Sequence, residues 1–257
     1  MLSAIRVLDF TNRLGWVAGR ILADLGADVV KVEPPGTDTD DPAWAAHNLN
    51  KRRLVFDWLA DTAEEALGAL ARGTDIVLET APPGSAEARR FDRARRCNAR
   101  LIHVSITPFG RTGPRSQWLA SDLELMAAGG AMSLAGEPHG VPVRITSPQS
   151  GGWAGAAAAT AALTALHART LSGRGQLVDV AAQAAVIAAL ANAPTFWDLE
   201  RGIPTRAGAF ITGRSVHGAR YRVFWPCRDG YVNFILYGGA AGRRTHERLV
   251  SWMVQTG

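Results

Sequence analysis

The stretch with the clearest chemical potential in this chain is Ser147-Pro148-Gln149-Ser150-Gly151-Gly152-Trp153-Ala154-Gly155. It follows an extended run, Val141 to Ile145, and leads into an alanine-rich segment of helical character. Proline beside paired glycines at a helix entrance lets the backbone approach a ligand closely. The free N–H groups of a helix start favour negative charge, whether a phosphate or the oxyanion of an acyl-transfer step. Without a ligand, the same residues make a tight strand-to-helix connection. They include no carboxylate, histidine or cysteine. Pro148-Gln149-Ser150-Gly151-Gly152 also resembles a GxSxG nucleophile elbow with proline replacing the first glycine, and Asp198 with His217, or Asp229 with His246, would complete a Ser…Asp…His order. Proline suits that turn poorly, and acids and histidines are common enough to supply such an order by chance.

Other residues invite chemical readings. Lys51-Arg52-Arg53 places three cations ahead of a strand-like Leu54 to Trp58, suited either to a phosphate or to plain solvent. Glu33 closes a strand where an acid would hold a ribose, but Gly15-Trp16-Val17-Ala18-Gly19 is not GxGxxG and Trp16 would crowd a pyrophosphate, so a dinucleotide site is not expected. Cys97 and Cys227 stand far apart without metal-ligand spacing, and neither a metal site nor a disulfide framework is expected.

Positioning these residues falls to an alternating chain. Ile5 to Phe10 is β-rich, Trp16 to Leu25 fits a helix stopped by Gly26, and Ala27 to Glu33 is a second strand. Such a βαβ unit has parallel strands and a right-handed crossover. Thr37 to Pro42 is an acidic, turn-prone loop. Helical patterns at 63–72 and 89–97 then alternate with strands at 75–79 and 101–106. A helix is expected around Asp122 to Ala131, then the alanine helix, a strand from Leu177 to Val180 and an apolar helix to about Ala193. From Gly202 the texture turns β-type, with strands at 221–225 and 231–236 and a closing helix from His246 to Val254. The expected class is α/β: a doubly wound, mainly parallel Rossmann-like sheet with helices on both faces, followed by the start of a smaller α+β domain. Residues 1–200 form the large domain, and 201–257 a linker and the truncated start of the small one.

Composition agrees with a globular protein: 257 residues, 47% hydrophobic and 20% charged. The net charge of +5 suits an anionic small molecule, but the arginine pairs are scattered without a nucleic-acid module, so no nucleic-acid partner is expected. The first six residues lack the apolar core of a signal peptide, and the alanine-rich segments fall short of a span of about 20 apolar residues. A cytoplasmic location without membrane contact is the default.

Several segments together resemble the family III CoA-transferases, the group of formyl-CoA transferases, carnitine-CoA transferases and α-methylacyl-CoA racemases. The resemblance lies in residues 22–36 (LADLGADVVKVEPPG), Asn50-Lys51-Arg52, Asp75 to Glu79 with Pro83-Gly84, and Ser105-Ile106-Thr107 with Phe109-Gly110. It continues in Thr112-Gly113-Pro114, Gly136-Glu137-Pro138, and Gly173-Arg174-Gly175-Gln176 with Val178-Asp179-Val180. It implies coenzyme A as substrate or ligand and movement of CoA between an acyl-CoA and a carboxylic acid. An aspartate would attack the thioester to form a mixed anhydride, and glycine-loop N–H groups would steady the oxyanion. By position, Arg13, Lys51 and Arg89, with Gly15, Arg52, Thr80, Gly151 and Gly152, are the expected CoA-facing residues. The resemblance also implies a homo- or hetero-oligomer with a CoA-transferase homologue.

The chain departs from the family at the site. Gly151, counted back from Gly155, occupies the position of the nucleophilic aspartate. The His-Asp pair of the racemase branch is represented by Ser121-Asp122, which makes racemisation improbable because it needs a paired acid and base. An asparagine position holds Thr80, and a cation position holds Pro34. Two alternatives follow: a working transferase with a relocated nucleophile, Asp122 or Glu124, or a catalytically silent partner subunit of an active relative.

Overall fold

A computed structural model of the chain describes residues 1–58, 60, 62–211, 220–235 and 239–256. Six parallel strands form the main sheet: β1 (Arg6–Phe10), β2 (Asp28–Glu33), β3 (Arg52–Val55), β4 (Ile76–Glu79), β5 (Ile102–Thr107) and β6 (Leu177–Ala181), in the order β3-β2-β1-β4-β5-β6. This is the doubly wound Rossmann-like order. The alternation of side chains sorts the core into two layers. Val7, Val29, Ile76, Leu78, Ile102 and Val104 pack against α1 (Trp16–Asp24) and α6 (Ser150–Ser172). Leu8, Phe10, Val32 and Val77 pack against α3 (Ala63–Arg72) and α4 (Ala86–Arg96). Helices therefore cover both faces, as expected.

Helix α6 buries a stripe at Ser150, Ala154, Ala158, Ala162, Ala165 and Arg169, the spacing of one helix face. It meets α1 closely because Gly155 has no side chain: a Cβ there would lie 2.7 Å from Val17 Cβ and 2.8 Å from the Ala18 nitrogen. The α6 amino end is also where the structure corrects the sequence. The helix begins at Ser150, so Gly151 and Gly152 lie in its first turn and not in a connecting loop. The Val141 to Ile145 run belongs to no strand.

Other boundaries shift for identifiable reasons. A helix absent from the sequence pattern, α2 (Pro42–Asn48), forms because Asp41 caps it and Pro42 occupies its first turn. Strand β3 starts at Arg52, which pairs with Val30 while Arg53 pairs with Lys31, so these two cations lie in the edge strand and not at its mouth. Helix α5 (Asp122–Ala128) stops before a 3-10 turn at Ala131–Leu134, and the apolar segment after β6 divides into α7 (Ala182–Ala189) and α8 (Asn192–Glu200). Two antiparallel pairs follow, β7 (Phe210–Ile211) with β8 (Tyr221–Arg222) and β9 (Phe224–Cys227) with β10 (Gly230–Asn233), then α9 (Gly239–Thr256). Leu236, expected in the last strand, lies outside the described residues. Among the described residues no helix is long and apolar enough to cross a membrane.

Candidate functional site

A cleft of about 970 Å³ opens beyond the carboxyl ends of β1 and β4. This is where the strand order reverses, the usual ligand crevice of an open α/β sheet. Its walls come from the β1–α1 join (Asn12, Arg13, Leu14) and the start of α1 (Trp16, Val17), the chain after β4 (Thr80, Pro82, Pro83), residues from Ser116 to Asp122 with Glu124 and Leu125, and the start of α6.

A buried ionic cluster fixes the β1–α1 join. Lys31 Nζ donates to the carbonyls of Thr11 (2.6 Å) and Asp9 (3.3 Å). Lys51 Nζ donates to the Trp16 carbonyl (2.8 Å), Asp9 Oδ2 (2.7 Å) and Asn48 Oδ1 (2.7 Å). Asp9 Oδ1 accepts from the Thr11 amide (2.9 Å) and hydroxyl (2.6 Å). Burial pushes the Asp9 carboxyl up, but the charges of Lys31 and Lys51 and the bonds from Lys51 and Thr11 outweigh it and hold the group below its ordinary value of 3.8. For Lys51, burial is the larger influence and lowers its value despite the neighbouring Asp9. Both ends of the 11–16 segment are thus tied to ammonium groups beneath the cleft.

The far wall is built around Asp122. Its Oδ1 accepts from the Gln149 amide, the Ser150 amide and the Ser150 hydroxyl, each at 2.8 Å. Helix α6 has no cap from its own Gln149 side chain, and this carboxylate from α5 satisfies its first amides. Glu124 is held by Ser121 in a capping box, and hydrogen bonds from the Ser121 side chain and backbone hold its carboxyl below the ordinary value. Between the walls, the Arg13 carbonyl presses on the first turn of α6: a Cβ on Gly151 would lie 2.6 Å from that oxygen. Gly152 has open space around it.

Arg13, Thr80, Asp122, Gly151 and Gly152, expected from sequence at the site, all line this cleft. Four other candidates do not. Gly15 caps α1, where a Cβ would meet Thr11. Lys51 has a side chain only 1% exposed, and its three donors are occupied below the cleft, which corrects its expected role as a surface cation for phosphate. Arg52 makes a bidentate pair with Asp28 on the sheet edge, at 2.8 and 2.7 Å. Arg89 turns back to the Gly84 carbonyl. Glu33, weighed as a ribose acceptor, is buried and accepts from Trp44 Nε1 at 2.6 Å.

The elbow pattern is not realised either. Ser150 is a helical residue, 3% exposed, and its hydroxyl donates to Asp122, not to a histidine. His217 lies outside the described residues. Residues that sequence reasoning passed over are Asp41, which pairs with Arg13, and His47 and Trp118, which line the cleft. The Asp41-Pro42 dipeptide was the available signal, being an N-cap followed by an N1 proline.

Comparison with known proteins bears on this geometry. The profile of CoA-transferase family III matches residues 2–250. Subunit BbsE of succinyl-CoA:(R)-benzylsuccinate CoA-transferase from Thauera aromatica is 34% identical over a 272-residue alignment covering 99% of this chain and 64% of that protein. A formyl-CoA:oxalate CoA-transferase from Streptomyces avermitilis is 36% identical over 200 residues, 72% of this chain and 49% of that one. Among solved structures, a CAIB/BAIF family protein from Brucella suis superposes with a TM-score of 0.78 at 28% identity, covering 89% of this chain and 64% of that one. Rv3272 from Mycobacterium tuberculosis superposes with a TM-score of 0.69 at 32% identity, covering 76% of this chain and 57% of that one. The chain thus spans less than two thirds of the length of each of these relatives.

Proposed function

The chain belongs to CoA-transferase family III, and on that premise we propose that it is a CoA-thioester-binding subunit that works beside a relative carrying the nucleophilic carboxylate. The single observation that carries this reading is Gly151. Thioester attack requires a carboxylate with a free lone pair facing the acyl carbon. At the position that the resemblance assigns to the aspartate, this chain has a glycine fitted against the Arg13 carbonyl. The two carboxylates that line the cleft, Asp122 and Glu124, are both engaged as helix-capping acceptors. The cleft retains walls for a ligand, and each of its two acids is held by one oxygen at a helix start. A relative named as a subunit, BbsE, is consistent with a two-chain enzyme.

A second reading keeps the activity in this chain and assigns attack to Asp122. It is favoured by one detail: the three bonds to Asp122 all use Oδ1, so Oδ2 is outside them.

Purification from the native host, followed by label transfer from an acyl-CoA to a carboxylic acid, separates the two. The first reading expects a longer homologue with the aspartate to co-purify, and transfer only when both chains are present. Transfer by the isolated chain, abolished in Asp122→Asn, overturns it in favour of the second.

A further inference from the structure

We propose that Asp41 is a built-in competitor for the anion that the cleft receives, so that ligand binding exchanges an internal carboxylate for a phosphate at Arg13. The inference rests on the reading of the cleft as the CoA site.

Arg13 is the only lysine or arginine lining the cleft among the described residues, and an anionic ligand there meets its guanidinium first. That guanidinium is already paired with Asp41 Oδ2. The other oxygen, Oδ1, accepts from the Ala43 amide at 3.0 Å and caps α2. One carboxylate therefore serves two partners through separate oxygens. The pair sits at the rim, with Arg13 67% and Asp41 21% exposed, and exposed ion pairs contribute little net stability. A phosphate or diphosphate offers more charge and the bidentate geometry that guanidinium prefers. The Arg13 guanidinium lies 5.5 Å from the centre of the Trp16 ring, a platform that keeps it at the cleft when Asp41 lets go.

Exchange requires no movement of α2. The helix is held elsewhere by Arg20 on the Ala46 carbonyl (2.7 Å), by Trp44 on Glu33 (2.6 Å) and by Lys51 on Asn48 (2.7 Å). The titratable cleft-lining group on α2, His47, is hydrogen-bonded to the Ala43 carbonyl at 2.8 Å. Asp41 thus sets a threshold: a weakly charged anion cannot displace it, whereas a phosphate-bearing thioester can.

The test is calorimetric titration of the wild-type chain, Asp41→Asn, Arg13→Gln and the double variant at low ionic strength, with inorganic pyrophosphate and with CoA. Asparagine caps a helix as well as aspartate, so Asp41→Asn keeps α2 while removing the competing charge. Expected is pyrophosphate binding about threefold to fivefold tighter in Asp41→Asn than in the wild type, with the gain shrinking as salt is added. In the Arg13→Gln background, Asp41→Asn should give no gain. Equal affinity of wild type and Asp41→Asn, binding in neither, or a gain that persists without Arg13 overturns the proposal. CoA that fails to displace bound pyrophosphate overturns the CoA reading of the cleft and leaves the competitor role standing. CoA that binds wild type and Asp41→Asn equally sinks the competitor and leaves the CoA reading intact.

Discussion

At the scale of single residues, Gly151 and Asp122 both line the cleft and are both held tightly by their surroundings. At Gly151 the Arg13 carbonyl fills the place a side chain would take. Gly151→Ala is expected to lower stability by about 1–3 kcal/mol through overpacking, whereas Gly152→Ala, with open space, should raise it by about 0.5 kcal/mol. Urea midpoints of the two variants measure the contrast, and equal midpoints would refute it. For the same reason an aspartate at 151 would fit only if the Arg13 carbonyl moved. Asp122 presents the converse case, a carboxylate whose structural work is visible. Asp122→Ala should cost about 1 kcal/mol of stability by uncapping α6, while Asp122→Asn should keep most of it, because an amide oxygen accepts the same bonds. Thermal melts of the pair check this.

At the scale of elements, the 11–16 segment is held by buried charge and not by packing alone. Asp9 has a carboxyl value depressed below 3.8, so the stability it contributes is fully present above that value and disappears as pH falls through the lower folded value. Thr11→Val removes one of the bonds responsible, brings the folded value closer to the unfolded one, and should make the acid loss shallower. It should also cost about 1.5–3 kcal/mol at neutral pH, as expected for a bond to a charged group. Urea midpoints measured from neutral pH down through 3.8 read both effects; parallel curves for variant and wild type would contradict the assignment. Lys51→Met is the harsher change. It leaves Asp9 with one ammonium fewer in a buried setting, and a loss of about 3–5 kcal/mol is expected from equilibrium unfolding.

At the scale of the whole molecule, two regions differ in how they are supported. Strands β4 and β5 are buried at every residue, whereas β9 and β10 are exposed along their length and pair only with each other. We propose that residues 1–200 and 201–257 are accordingly distinct units. Native-state hydrogen exchange should show slow, globally governed amides in β1, β4 and β5 and fast, locally governed ones in β9 and β10. A single uniform protection class across both would overturn that division. The exposed apolar side chains Phe224, Trp225, Tyr231 and Val232 lie on the β9–β10 pair.

Much of this was legible in the residues because it depends on local pattern. The strand at 76–79 is a short apolar run before Glu79, that at 102–107 alternates Ile102, Val104 and Ile106 with polar residues, Gly26 closes the turn after α1 at positive φ, and the ordered motifs from 22 to 180 pointed to the family. The candidate cleft residues Arg13, Thr80, Asp122, Gly151 and Gly152 were named from the resemblance, and the structure brings them to one crevice. What the sequence did not disclose depends on partners distant along the chain. Lys51 and Arg13 read alike in sequence as cations suited to an anion, yet one is buried on Asp9, across 42 positions, and the other stands at the cleft beside Asp41. Likewise the stretch from Ser147 to Gly155 reads as a connection in sequence, yet from Ser150 onward it forms the first turns of α6, where Asp122, 28 positions from Ser150, supplies the cap that the Gln149 side chain does not. Local propensity fixes where strands and helices can form. Which charge is buried, which carboxylate is engaged and which glycine is tightly packed depend on the through-space neighbours that only the folded chain provides.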